Sequence, residues 1–233
     1  RHPLNFHLNR QVVRSVNLFT ESDTKRLATL DILGFFNPTL DLSGAEQEAF
    51  AISSQVPSAK IFKREQAQIS QLNNDIAANT VNTANIVHLS MHGSFNSVNP
   101  QMSKLYFAGA KRGMSENDPN ALYAKDMGQY SVLQDRQLIF AAACETGKIS
   151  ADQSNESELI GILRPLTANG NKNIILSLWK VDDEATKDFV GWFYQDLSQS
   201  HKVSDAFLSA QAKTRNKYPN PYYWSAFYLS QAD

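Results

Sequence analysis

Cysteine is nearly absent from this chain: 233 residues hold one, Cys144. A lone cysteine excludes an internal disulfide framework, and that usage fits a reducing, cytoplasmic compartment. An excess of either charge is also missing, since 22 Lys and Arg stand against 23 Asp and Glu for a formal net charge of −1. No Lys/Arg cluster makes a phosphate-tracking stripe, so no direct nucleic-acid partner is expected. No apolar run approaches the roughly 20 residues of a membrane-spanning helix, and no signal-peptide pattern opens the chain, so no membrane partner is expected. A glycine-rich phosphate loop is lacking too. Gly109-Ala110-Lys111-Arg112-Gly113 has neither the spacing nor the strand–turn–helix setting of a nucleotide fingerprint, and no Gly-x-Ser-x-Gly elbow occurs. A flavodoxin-like or nucleotide-binding reading therefore has no phosphate motif behind it, and no cofactor is implied. The chain opens on Arg1 rather than Met, which reads as a fragment or processed product.

What is present is an ordinary globular composition, 42% hydrophobic and 19% charged. It is long enough for an α/β domain with a large core. Residues 1–25 are polar, with short apolar alternation at Val12, Val13, Val16, Leu18 and Phe19. They read as one or two lead-in strands, the tail of a preceding segment. Leu30–Phe36 reads as a first core strand stopped by Asn37-Pro38. Ser43 with Glu46 reads as a capping box that opens a helix burying Ala45, Ala49 and Ile52. A short strand at Ala59–Phe62 and a helix over 64–78 follow. Next come a strand at Ile86–Met91, two small pieces of a polar insertion at Ser103–Phe107 and Ala121–Met127, and a strand at Leu138–Ala143. Residues 108–120 have loop composition, and with 147–157 they are the expected mobile loops. A helix from Glu158 ends at Asn169-Gly170. Then come a strand at Asn173–Trp179, helices at about 184–198 and 202–217, and a last aromatic strand at Trp224–Ser230. Strands alternating with helices predict an α/β fold, a mostly parallel sheet covered on both faces.

Three features carry chemistry. The Ile86–Met91 run ends in His92-Gly93, and the Leu138–Ala143 run ends in Cys144-Glu145-Thr146-Gly147. Both residues thus fall at C-terminal strand ends, the edge where parallel sheets bind ligands. An imidazole beside a thiol is the arrangement of a cysteine nucleophile. The plainer reading of Cys144 is buried core filler, but its position at a strand-to-loop corner argues for exposure. His88 and His92 would share a metal on a helix. On a strand they lie about 13 Å apart, so no metal site is expected and His88 is read as a hydrogen-bonded core residue. Asp182 and Asp183 follow the Asn173–Trp179 strand. One can cap the next helix, while a carboxylate at this edge would favour a positively charged substrate residue.

These runs resemble the CHAT family, caspase-like domains often found after tetratricopeptide repeats and related to separase among the clan CD cysteine peptidases. The matching stretches are Ile86–Gly93, Leu138–Gly147, Ile175–Asp183, Phe193–Leu197, Ala206–Gln211 and Pro221–Phe227. The resemblance implies a three-layer αβα caspase-like sandwich over residues 26–233 and a His92–Cys144 dyad. It also implies an oxyanion hole from the backbone amides of Gly93 and Cys144. The expected activity is that of a cysteine endopeptidase acting on a protein substrate, regulated by a partner or an upstream repeat domain. Asp182 or Asp183 would read a basic residue before the cut. The alternative is a catalytically silent caspase-like scaffold.

Overall fold

The computed structural model describes residues 27–72, 84–96, 98–111, 113, 117–142, 156–179 and 182–232. The lead-in segment 1–25 lies outside them. In chain order the elements are β1 (Ile32–Phe36), α1 (Ser43–Gln55), β2 (Lys60–Lys63), β3 (Ile86–Ser90) and β4 (Gly93–Ser94). These are followed by β5 (Lys104–Tyr106), β6 (Ala121–Tyr123), β7 (Leu138–Ala142), α2 (Glu156–Ala168) and β8 (Asn173–Ser177). The chain closes with α3 (Asp183–Ser200), α4 (Val203–Lys217), the one-turn α5 (Pro221–Trp224) and β9 (Phe227–Gln231). Among the described residues no helix is long and apolar enough to cross a membrane.

The main sheet has six strands in the order β2-β1-β3-β7-β8-β9. All neighbours run parallel except β8 and β9. Successive side chains point to opposite faces, so each central strand feeds two cores. Ile32, Phe36, Ile86, Leu138, Phe140 and Ile175 face α1, α3 and α4. Leu33, Phe35, Val87, Leu89, Ile139 and Leu176 face α2 and the second sheet. Both faces being buried explains why these strands read as continuous apolar runs. The expected α/β sandwich with a mostly parallel sheet is the fold observed.

Phe140 is the centre of the first core. It is fully buried, and its ring lies 4.6 Å from that of His88 and 5.5 Å from that of Phe193. Phe36 stacks on the other side of His88 at 5.0 Å, its ring lying back over Gly34. A Cβ at Gly34 would stand 2.3 Å from that ring, so only glycine permits the stack.

Two local expectations need correction. The helix over 64–78 is replaced by 3₁₀ turns at Arg64–Gln66 and Ile69–Leu72, with 73–83 outside the described residues. Arg64 takes a positive φ of 53°, which an α-helix cannot accommodate. The pieces at Ser103–Phe107 and Ala121–Met127 are not a polar insertion. They supply β5 and β6 of an antiparallel β4-β5-β6 sheet that buries Leu105, Phe107 and Leu122 against the main sheet. The described part of 108–120 is loop, as its composition predicts, and there the Asp118 carboxylate accepts from the amides of Lys111 at 2.6 Å and Asn120 at 2.9 Å. The helix break at Asn169-Gly170 is as expected, with Gly170 at φ 78°.

Replacing Phe140 with Ala is expected to destabilise the domain by about 3–5 kcal/mol, because aromatic core truncation leaves a cavity as well as losing burial. Urea unfolding followed by circular dichroism should show a lower midpoint with an unchanged slope.

Candidate active site

His92 stands two residues beyond β3, at the C-terminal edge of the sheet. It is 7% exposed. Its backbone carbonyl accepts from the Tyr106 amide at 3.0 Å, so the second sheet holds it in place. Its ring Nε2 lies 3.1 Å from Oδ1 of Asp41. That same oxygen accepts from the Thr39 hydroxyl at 2.7 Å. A carboxylate on one ring nitrogen fixes the orientation of an imidazole.

Asp41 belongs to the turn between β1 and α1, and Asn37 builds that turn. Asn37 is buried and sits at φ 48°, a left-handed conformation that Asn tolerates better than most residues. Its amide donates to the Ser90 carbonyl at 3.0 Å, tying the turn to the end of β3. Its side chain accepts from the Leu42 amide at 2.8 Å and donates to Glu46 at 2.7 Å. Glu46 is in turn gripped by both ends of the Arg64 guanidinium, at 2.7 and 2.9 Å. Arg64 first, then Asn37, holds the Glu46 carboxyl below its ordinary range. Glu46 therefore does not reach back to the helix start as a capping box would. Ser43 is the first residue of α1, and its side chain makes no cap.

Asp183 takes part of that role. Its Oδ2 lies 3.4 Å from the Gly44 amide, and a Cβ at Gly44 would stand 2.7 Å from the Asp183 Cβ. The starts of α1 and α3 are thus in close contact. Asp182 caps α3 itself, accepting from the amides of Glu184 at 3.0 Å and Ala185 at 3.3 Å. Of the two aspartates, Asp183 is the one that lines a small pocket with His92, Ser90, Glu48, Ser177 and Trp179. Trp179 is anchored by its indole N–H to the Tyr222 carbonyl at 2.9 Å. On the outer side of Asp41 lies an open groove of about 770 Å³ between α1 and α3, walled by Leu40, Phe50 and Trp192.

His88 is the core residue that strand geometry predicts. It is fully buried, with Nδ1 3.0 Å from the Tyr194 hydroxyl and Nε2 3.2 Å from Glu48 Oε2. Burial, then the Glu48 charge, pushes the Tyr194 hydroxyl well above its ordinary pKa, so it keeps its proton. Among the described residues no group of three or more His, Cys, Asp or Glu could hold a metal ion.

Gly93 pairs with Leu105 in β4-β5. The bond from Tyr106 N to His92 O makes this a non-hydrogen-bonded pair, so the Gly93 amide points away from β5. Cys144, both as thiol and as amide, lies outside the described residues. β7 ends at Ala142, and the register pairs Ser90 with Ala142. Counting on by two residues reaches His92 from Ser90 and Cys144 from Ala142.

Sequence reasoning missed Asp41, Glu48 and Asn37. Each lies far from the His92 run in the chain, and Asp41 sits in a turn with no periodicity to mark it. The one available signal was the alternation His88-x-Ser90-x-His92, a polar column on a strand otherwise apolar. Asp182→Ala is expected to cost about 1 kcal/mol, as N-cap losses do. It should lower the thermal midpoint, and Asp182→Asn should recover most of that loss.

The chain matches the CHAT domain family model over residues 6–232. No curated protein matches it significantly. CHAT domains are a caspase-like family, often connected with proteolysis, and the mostly parallel six-stranded sheet with its helices agrees with a caspase-like sandwich. This chain belongs to the CHAT-domain family.

Proposed function

We propose that this chain is a cysteine endopeptidase whose dyad is His92 and Cys144. The observation that carries the reading is the β3–β7 register. It aligns Ser90 with Ala142 in adjacent parallel strands, so the two chains leave the sheet about 4.8 Å apart and two residues short of the imidazole and the thiol. The Asp41 bond to Nε2 supports it further, because a carboxylate that orients the imidazole is the third group of a nucleophile–base arrangement.

In this mechanism Cys144 sulfur attacks the scissile carbonyl and its proton passes to His92 Nδ1. The carbonyl oxygen becomes an oxyanion, stabilised by the amides of Gly93 and Cys144 at about 3 kcal/mol per donor. Collapse of the tetrahedral intermediate breaks the C–N bond, and His92 gives its proton to the departing amine. Water, losing a proton to His92, then releases the acyl group and restores the thiol. Asp41 keeps the ring in one tautomer throughout. Asp183, beside the pocket, attracts a cationic side chain before the cut; Asp182 is occupied with its helix. A partner or an upstream domain regulates turnover.

Cys144→Ala and His92→Ala should each abolish cleavage, by on the order of 10³-fold or more, with an unchanged circular dichroism spectrum. The assay is cleavage of a peptide library read by mass spectrometry, alongside labelling by an acyloxymethyl ketone with a basic terminal residue. Cleavage that survives Cys144→Ala removes the reading. Absence of labelling under every activator tried leaves the scaffold reading in its place. Asp41→Asn is expected to lower kcat by about 10- to 100-fold with little change in KM, since it disturbs proton transfer rather than binding.

A further inference from the structure

Glu48 is a carboxylate where a helix should bury an apolar side chain. It lies on the inner face of α1 beside Ala45, Ala49 and Ile52, and it is 3% exposed. The mechanism above does not use it. A buried carboxylate is costly unless hydrogen bonds repay its desolvation, and two do so here. Ser90 Oγ donates to Oε1 at 3.1 Å, and His88 Nε2 lies 3.2 Å from Oε2. The Tyr194 hydroxyl, which keeps its proton, needs an acceptor, and its partner is His88 Nδ1. All three bonds form at once when Tyr194 donates to Nδ1, Nε2–H donates to Glu48 and Ser90 donates to Glu48.

Ser90 closes β3, and His92 follows it two residues on. Glu48, Ser90 and His92 line one pocket. Among the described residues at this corner, the carboxylates are Asp41 from the β1–α1 turn, bonded to the His92 ring, and Glu48 from α1 and Asp183 from the start of α3, which line the same pocket as His92. Of these, Asp41 and Asp183 are open to solvent and screened, while Glu48 is sealed in a low-dielectric setting where its field reaches further.

We infer that Glu48 is a positioning residue for His92. Through Ser90 it fixes the end of β3, and its charge favours the imidazolium that protonates the departing amine. The inference rests on the endopeptidase reading for its catalytic part, but its electrostatic part does not.

The deciding experiment is an NMR titration of the His92 ring in Cys144→Ala protein, with and without Glu48→Gln, assigned by comparison with His92→Gln. Glutamine keeps the shape and can still bond to Ser90, so the fold should hold. Removing an anion destabilises the charged ring, and the His92 midpoint should therefore move to lower pH. Glu48→Asp, which keeps the charge, should bring it back towards the parent value. With Cys144 intact, Glu48→Gln should lower kcat about tenfold at a KM within about twofold of the parent, with the His-dependent limb of the pH profile displaced to lower pH. An unmoved His92 midpoint in folded Glu48→Gln protein overturns the inference. Should that variant unfold, Ser90→Ala carries the test: kcat falling severalfold at constant KM supports it, and parent kinetics refute it. If cleavage survives Cys144→Ala, the endopeptidase reading fails, while the titration still decides the role of Glu48.

Discussion

Backbone pairing between β3 and β7 is the constraint on which the rest of this molecule depends. The hydrogen bonds that align Ser90 with Ala142 fix where both strands end, whatever side chains follow. A slip of one residue would turn His88 and Ser90 to the opposite face, away from α1 and towards α2 and the second sheet. The register is held by burial on both faces at once. Ile86, Leu138 and Phe140 fill one core while Val87, Leu89 and Ile139 fill the other. The site at this edge therefore inherits its geometry from the core rather than making its own.

Around that edge the molecule spends local strain. Asn37, Leu40 and Arg64 all adopt positive φ, and all three line the groove beside Asp41. A leucine in that conformation costs about 1–2 kcal/mol, and it is tolerated only where surrounding contacts over-determine the turn. Here the Arg64–Glu46–Asn37 chain does so, and the Asn37 amide on Ser90 joins the turn to the strand carrying His92. The Asp41 carboxylate reaches the imidazole because this scaffold aims it.

The sheet was legible in the sequence because parallel strands buried on both sides read as apolar runs, and these runs sit where expected. His88 was readable as a core residue for the same reason. The 64–78 helix misled because Ala67, Ile69 and Leu72 mimic helical spacing, while the backbone reversal at Arg64 leaves no such mark. Ser43 and Glu46 matched a capping pattern by type, but tertiary partners took both roles: Asp183 contacts the first turn, and Arg64 with Asn37 claims Glu46. The polar partners of His92 and His88 come from 40 to 106 residues away. Local pattern cannot reveal such pairs. Only the topology that brings α1 and α3 onto the same face of β3 does.

The contact between Gly44 and Asp183 has a dynamic consequence. Because the first turn of α1 borrows an acceptor from the first turn of α3, fraying at the start of α3 also releases the Gly44 amide. Hydrogen exchange at that amide should then follow the opening of α3, while the α3 amides, capped by Asp182, do not depend on α1.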